Sequence, residues 1–162
     1  MLTAAMIEAL KQFDTPTVAN AIEFFDVQPK TAGFMRPGIR KVFENGQRMV
    51  GYAVTAKISA RTPPTEAQKP LAGQYYTRVK AAPKPTVTVL QDLDPEPTGS
   101  FWGEVQVSIH RFLGCVGVIT NGGVRDLDEV RGSTSNTSPA ACWCPTPMSI
   151  SRPSAAPWRS VG

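Results

Sequence analysis

Histidine is almost missing from this sequence: His110 is the only one in 162 residues. A Ser-His-Asp triad or a histidine-rich metal centre therefore has little to build on. Cysteine is scarce as well. Cys115, Cys142 and Cys144 are an odd number without framework spacing, which argues against a secreted disulfide scaffold. Cys142-Trp143-Cys144 leaves one residue between thiols, and neither a second pair nor a histidine follows to complete a zinc site. No stretch approaches the roughly 20 apolar residues that a membrane helix needs. Met1–Phe13 alternates apolar and polar residues, unlike the continuous apolar core of a signal peptide. Runs of one charge are also lacking. The net charge is +4, but the basic residues are scattered and form no nucleic-acid patch. These absences predict a cytoplasmic protein with neither a membrane nor a nucleic-acid partner. A small anionic substrate stays open, because it needs only one or two local cations.

What is present suits one globular domain: 41% of residues are hydrophobic and 19% charged. Ala5, Ile7, Leu10 and Phe13 recur at helical spacing, which predicts a helix over Thr3–Phe13. Asp14-Thr15-Pro16 breaks it and starts another, with Thr15 as N-cap and Pro16 at the first helical position. Val18, Ala21, Ile22 and Phe25 are its expected apolar face. Lys30–Gly46 reads as loop. Arg48–Ser59 (RMVGYAVTAKIS) and Thr86–Leu90 (TVTVL) read as strands. A helix is expected over Ala67–Lys80, weakened by Pro70 and Gly73, and an acidic turn region over Asp92–Gly99. A helix over Gly103–Leu113 has Val105, Val107, Ile109, Phe112 and Leu113 as apolar candidates, Val107 being less well placed. Gly117–Thr120 has parallel-strand character. Asn121-Gly122-Gly123 is a turn, and Val124–Arg131 opens another helix. Alternating helices and strands predict an α/β fold.

One stretch carries chemistry. Gly103-Glu104 is followed by helix, strand and glycine turn, and then by Arg125-Asp126. The glycine turn lets backbone approach a ligand closely. Amides at the start of the 103–113 helix favour an anion. Arg125 offers a planar fork for a carboxylate. Asp126 is a hard oxygen ligand suited to Mg²⁺ or Mn²⁺. Together these could hold a 2-oxo acid against a metal. Taken alone, Arg125-Asp126 reads as a surface pair at a helix start, and Glu104 as a first-turn acid. Their combination favours a site. Asp128, Glu129, Lys57 and Lys80 are expected at the surface, His110 at the surface or partly buried, and Trp102 in the core.

The spacing of Glu104 from Arg125-Asp126 resembles the signature of the 4-hydroxy-4-methyl-2-oxoglutarate aldolase family and its ribonuclease-regulator relatives. So do Thr15-Pro16-Thr17-Val18, Gly51-Tyr52-Ala53-Val54-Thr55 and Gly114–Asp126 (GCVGVITNGGVRD). The resemblance runs from about Leu10 to Arg131. It implies a three-layer β/β/α swivelling-domain fold, in trimers or hexamers with sites at subunit interfaces. It assigns Asp126 to the metal, Arg125 to the substrate carboxylate and developing enolate, and Glu104 to a water on the metal. Gly103 and the amides of Val105 and Gln106 would line the pyruvyl carboxylate. The implied activity is retro-aldol release of pyruvate from a 4-hydroxy-2-oxo acid, with oxaloacetate decarboxylation through the same enolate. A second branch of the family binds ribonuclease E without catalysis; there the aspartate after the arginine is replaced, whereas here it is Asp126. A methyltransferase reading finds no glycine-rich nucleotide loop.

Beyond Arg131 the text changes. Residues 133–162 hold seven Ser, five Pro and no Asp or Glu. The composition predicts a disordered tail on a 1–132 domain, with the fold incomplete at its C-terminal side. From Thr134, codons can be chosen whose shifted frame reads HFQYFAGGVLVSHAYVHIAPFGRPVEVGG. That string alternates apolar runs with glycine turns, as the family does there. We read a frameshift near Gly132, with an inactive product as the third possible outcome beside lyase and regulator.

Overall fold

The structure is a computed structural model, and it describes residues 2–35, 37–43, 48–97, 99–132, 141–144 and 159–161. Its centre is a sheet of strands ordered β1-β7-β5-β3-β2-β8. These are β1 (Arg40–Lys41), β2 (Tyr52–Ser59), β3 (Thr86–Asp92), β5 (Cys115–Thr120), β7 (Ala141–Cys144) and β8 (Arg159–Val161). β2, β3, β5 and β7 run parallel, while β1 and β8 lie antiparallel at the two edges. β2, β3 and β5 are rich in β-branched residues, as suits strands covered on both faces. A second pair, β4 (Ser100–Trp102) and β6 (Gly123–Val124), is also parallel.

Helix α3 (Leu71–Ala81) buries Tyr75 and Val79, and α4 (Glu104–Phe112) buries Val107 and His110. They close over a core containing Val54, Ile58, Leu90, Phe101, Trp102, Val118, Val124 and Val130. Helix α5 (Leu127–Gly132) contributes Val130, which is fully buried. The α/β layout expected from the sequence is the one observed.

Several local expectations differ from the structure. The N-cap of α2 (Thr15–Ile22) is Asp14, whose Oδ1 accepts from the Thr17 amide at 2.8 Å, so Thr15 is the first helical residue. An ionised carboxylate suits the helix start better than a hydroxyl does, and this bond holds the Asp14 pKa below its usual value. Helix α1 (Ala4–Leu10) ends three residues earlier than expected. Helix α2 buries no residue, and Phe25, expected on its packed face, is 74% exposed in the turn that follows.

Helix α4 presents a different face from the one its apolar residues suggest. Val105 and Phe112 face solvent, while His110, expected at or near the surface, is 1% exposed. The reason lies on α3, whose Tyr75 hydroxyl meets the imidazole at 2.6 Å and lets a polar ring be buried. Trp102 is in the core as expected. Segment 133–162, expected to lack elements, carries β7 within the main sheet and β8 on its edge. Among the described residues no helix is long and apolar enough to cross a membrane.

Candidate functional site

The pairing of β4 with β6 assembles the site. Ser100 lies opposite Gly123, and Trp102 opposite Val124. One hydrogen bond continues the ladder, from the Arg125 amide to the Trp102 carbonyl at 2.9 Å. Two chain segments with α4 and β5 between them thus leave their strands side by side. Gly103-Glu104 enters α4 where Arg125-Asp126 enters α5.

Asp126 has a left-handed backbone, φ 55°, a conformation that Asp and Asn tolerate better than most residues. The α5 ladder starts from it, since the Val130 amide donates to the Asp126 carbonyl at 2.8 Å. Its side chain turns onto the N-terminus of α4, where Oδ2 accepts from the Glu104 amide at 3.2 Å. The same oxygen lies 3.5 Å from Arg125 Nε. A carboxylate is favoured at that helix end by the amides and by the dipole. These contacts use Oδ2, and the side chain keeps 39% exposure, against 54% for Arg125.

Gly103 explains how the groups come so close. A Cβ built there would stand 2.5 Å from Asp126 Oδ2, 2.9 Å from Arg125 Cγ and 3.1 Å from Arg125 Nε. Its φ of −163° is ordinary extended backbone, so space rather than conformation demands glycine. Within α4 the ladder begins with the Val107 amide donating to the Gly103 carbonyl. The amides of Val105 and Gln106 precede it in the first turn, which faces outward beside Arg125 and Asp126. Glu104 is exposed at the head of this turn. The residues singled out from the sequence therefore share one corner of the molecule: Gly103, Glu104, Val105, Gln106, Arg125 and Asp126.

The turn after β5 is pinned from below. Asn121 Oδ1 accepts from the Asp92 amide at 2.7 Å, and its Nδ2 donates to the Asp92 carbonyl at 2.9 Å. Gly122 packs against Asp92, where a Cβ would stand 2.9 Å from Oδ2. Burial pushes the Asp92 carboxyl above the usual carboxylate range.

Sequence reasoning missed the support beneath α4. Tyr76 donates to Gln106 Oε1 at 3.0 Å. The His110 Nδ1 lies 2.7 Å from the Gln106 carbonyl, and Nε2 lies 2.6 Å from the Tyr75 hydroxyl. Tyr75 in turn reaches Thr88 Oγ1 at 3.4 Å, and Thr88 lies 3.3 Å from Cys115 Sγ. A tyrosine pair on a helix of low apolar content was the available signal, because buried hydroxyls need partners.

Among the described residues no three His, Cys, Asp or Glu side chains converge as an all-protein metal cage requires. Mg²⁺ does not need such a cage, since one or two carboxylates with waters and substrate oxygens suffice. Asp126, half-exposed beside a cation and a helix N-terminus, fits that pattern.

Solved structures resemble the chain at low sequence identity, which speaks for the fold alone; among them are the following three. A Pseudomonas syringae pv. tomato str. DC3000 protein of uncharacterised role matches with a TM-score of 0.63 and 17% identity, over 91% of this chain and 58% of its own. A structure described as novel cellulases from microbes associated with the gut ecosystem matches at TM-score 0.69 and 15% identity, over 92% and 61%. Streptomyces coelicolor RraAS2, described as an unusual member of the RNase ES inhibitor RraA protein family, matches at 0.60 and 17%, over 89% and 64%. The chain thus spans about three-fifths of the length of these proteins. Curated proteins give no match. The model of the RraA-like family, described as Aldolase/RraA, matches residues 8–148, past the limit near Arg131 drawn from the motifs. With most of its length inside that match, this chain belongs to the RraA-like (Aldolase/RraA) family.

Proposed function

We propose that the chain is a divalent-metal-dependent lyase that cleaves a 4-hydroxy-2-oxo acid to pyruvate by a retro-aldol reaction, and that it decarboxylates oxaloacetate through the same enolate. The observation that supports this most is the Asp126 carboxylate on the α4 N-terminus, flanked by Arg125. Arg125 and Asp126 keep exposed side chains there, open to a small anionic substrate and its metal.

Each residue has a role its surroundings favour. Asp126 would hold Mg²⁺ or Mn²⁺, which supplies Lewis-acid polarisation of the 2-oxo group. The first-turn amides of Val105 and Gln106 would bind the substrate carboxylate, as helix N-termini bind anions. Arg125 would stabilise the negative charge that develops on the enolate oxygen as the carbon–carbon bond breaks. Glu104, solvated at the head of α4, would take a proton from water or from the 4-hydroxyl and return it to the enolate carbon. Trimeric or hexameric assembly in the cytoplasm is the expected setting.

The test is pyruvate release from oxaloacetate, with and without Mg²⁺, for the chain beside Asp126→Ala. Metal-dependent release that the substitution abolishes supports the lyase. Equal background rates in both, from samples that melt cooperatively, sink it. The neighbour described as an RNase ES inhibitor family member motivates one control, metal-independent capture of ribonuclease E.

A further inference from the structure

We infer that Tyr75 and His110 form a buried clamp that positions the first turn of α4, and with it the amides that grip the substrate carboxylate. The inference rests on the lyase reading above. It assigns to two residues outside the site a measurable share of substrate binding.

The proton order follows from chemistry. The Gln106 carbonyl only accepts, so the His110 Nδ1, 2.7 Å away, carries a hydrogen and donates to it. The ring is fully buried and neutral, with its pKa pushed down to about 4 chiefly by burial. Its Nε2 therefore accepts, and the Tyr75 hydroxyl at 2.6 Å donates. Tyr75 is 4% exposed, and burial raises its pKa, so it stays protonated as a donor. The Thr88 hydroxyl lies behind it on β3, and Cys115 donates onward to the Gly117 carbonyl at 3.1 Å. The titratable groups around the imidazole are thus Tyr75 and Tyr76 from α3, with Cys115 beyond Thr88.

What the clamp holds is specific. Gln106 is bound at two atoms by consecutive α3 residues, its carbonyl through His110 to Tyr75 and its side chain by Tyr76. Its amide is one of the two proposed to bind the carboxylate. Trp102 backs the imidazole with ring centroids 4.6 Å apart, and Trp102 immediately precedes Gly103 in the chain. The imidazole thus braces both the third residue of α4 and the strand that leads into the helix. Such indirect support governs how rigidly donors are aimed.

The experiment compares the chain with Tyr75→Phe, which keeps the ring and deletes the hydroxyl, and with Tyr76→Phe at the half-buried position. Steady-state oxaloacetate decarboxylation is measured with saturating Mg²⁺, and Asp126→Ala is carried alongside. The carboxylate is held in ground and transition states alike, so KM should rise about 3- to 10-fold with kcat within about 2-fold. The Mg²⁺ concentration giving half-maximal rate should not move. The nitrogen NMR signals of the single histidine should report Nδ1–H in the parent chain and a perturbed Nε2 in Tyr75→Phe. A merely structural role would lower the melting temperature and the active fraction while leaving KM unchanged, and that result overturns the clamp. Should Tyr75→Phe not fold, His110→Asn, which removes the ring between Tyr75 and the Gln106 carbonyl, decides: an unchanged KM refutes the positioning role. A parent chain no faster than Asp126→Ala refutes the lyase reading and the clamp with it.

Discussion

The Asp126 carboxylate rests on the main-chain amide of Glu104, Oδ2 to N 3.2 Å, across 22 residues of sequence. That contact joins the N-termini of α4 and α5 and places a negative charge where the α4 dipole favours one. The proposed lyase reading adds a metal-holding role to this structural one, so substitutions at Asp126 must be chosen to separate the two.

Asp126→Asn does so. Asparagine tolerates the left-handed backbone and keeps an acceptor for the Glu104 amide, but loses the charge. Metal-dependent pyruvate release should fall at least about 100-fold with the melting temperature nearly unchanged. Asp126→Ala should lose activity equally and also lose roughly 1 kcal/mol of stability from its strained φ and lost cap. Paired thermal melts and decarboxylation rates check both. Retained activity in Asp126→Asn would remove the metal-ligand role.

Gly103→Ala tests the packing that brings the site together. The added methyl would press on Asp126 Oδ2 and Arg125, both of which can swing outward into solvent. We expect kcat/KM to fall more than about 10-fold, because small misplacements of reacting groups are costly, while the extended backbone keeps the fold. Kinetics together with a circular-dichroism melt decide it. Normal kinetics would show that the two side chains need not sit against α4.

Much of this corner was legible in the sequence because it is made of local signals. A glycine before a helix, an acid in its first turn, a glycine turn and an Arg-Asp pair each declare themselves by residue type. The long strands β2 and β3 were equally plain from Val, Ile and Thr. The two- and three-residue strands β4 and β6 were not, since so short a segment has no period, and their pairing is what joins 103–104 to 125–126. The buried face of α4 was hidden for another reason. Five apolar residues spread around that helix, and tertiary partners chose the face: Tyr75 and Trp102 made a pocket for His110 and left Phe112 outside. The left-handed φ of Asp126 is likewise a product of how α5 starts, not of residue identity alone.

The same imidazole predicts an acid sensitivity. Its folded pKa of about 4 lies below the usual 6.5, so the unfolded chain binds the proton more readily. The contribution to stability is therefore complete above about pH 6.5 and lost as pH falls toward 4. Between pH 7.5 and 5 the loss should be about 2 kcal/mol at 1.36 kcal/mol per unit. Asp92, whose pKa is raised by burial, works in the opposite sense at lower pH. Urea titrations of the chain and of His110→Asn isolate the histidine part as the difference in pH slope. Equal slopes would mean that the ring accepts a proton in the folded state.

The change of text after Gly132 makes a prediction about the gene. β7 occupies the place between β5 and β1, running parallel to β5 inside the sheet. Parallel strands in that position are ordinarily apolar on both faces. In the shifted frame, codons 142–144 read Val-Leu-Val, preceded by Gly-Gly, which is the pattern of a buried strand after a turn. The chain carries Cys-Trp-Cys there, between Ser- and Pro-rich flanks. The fold thus provides an inner-strand slot that Val-Leu-Val suits better than Cys-Trp-Cys does. Sequencing across codons 128–136 should reveal codons compatible with that string and a single-nucleotide change ahead of codon 134. Restoring the frame should raise the melting temperature, because apolar burial contributes about 25 cal/mol per Å². Codons that cannot encode the shifted string would end the frameshift explanation and leave the Ser- and Pro-rich segment 133–162 as this protein's own sequence.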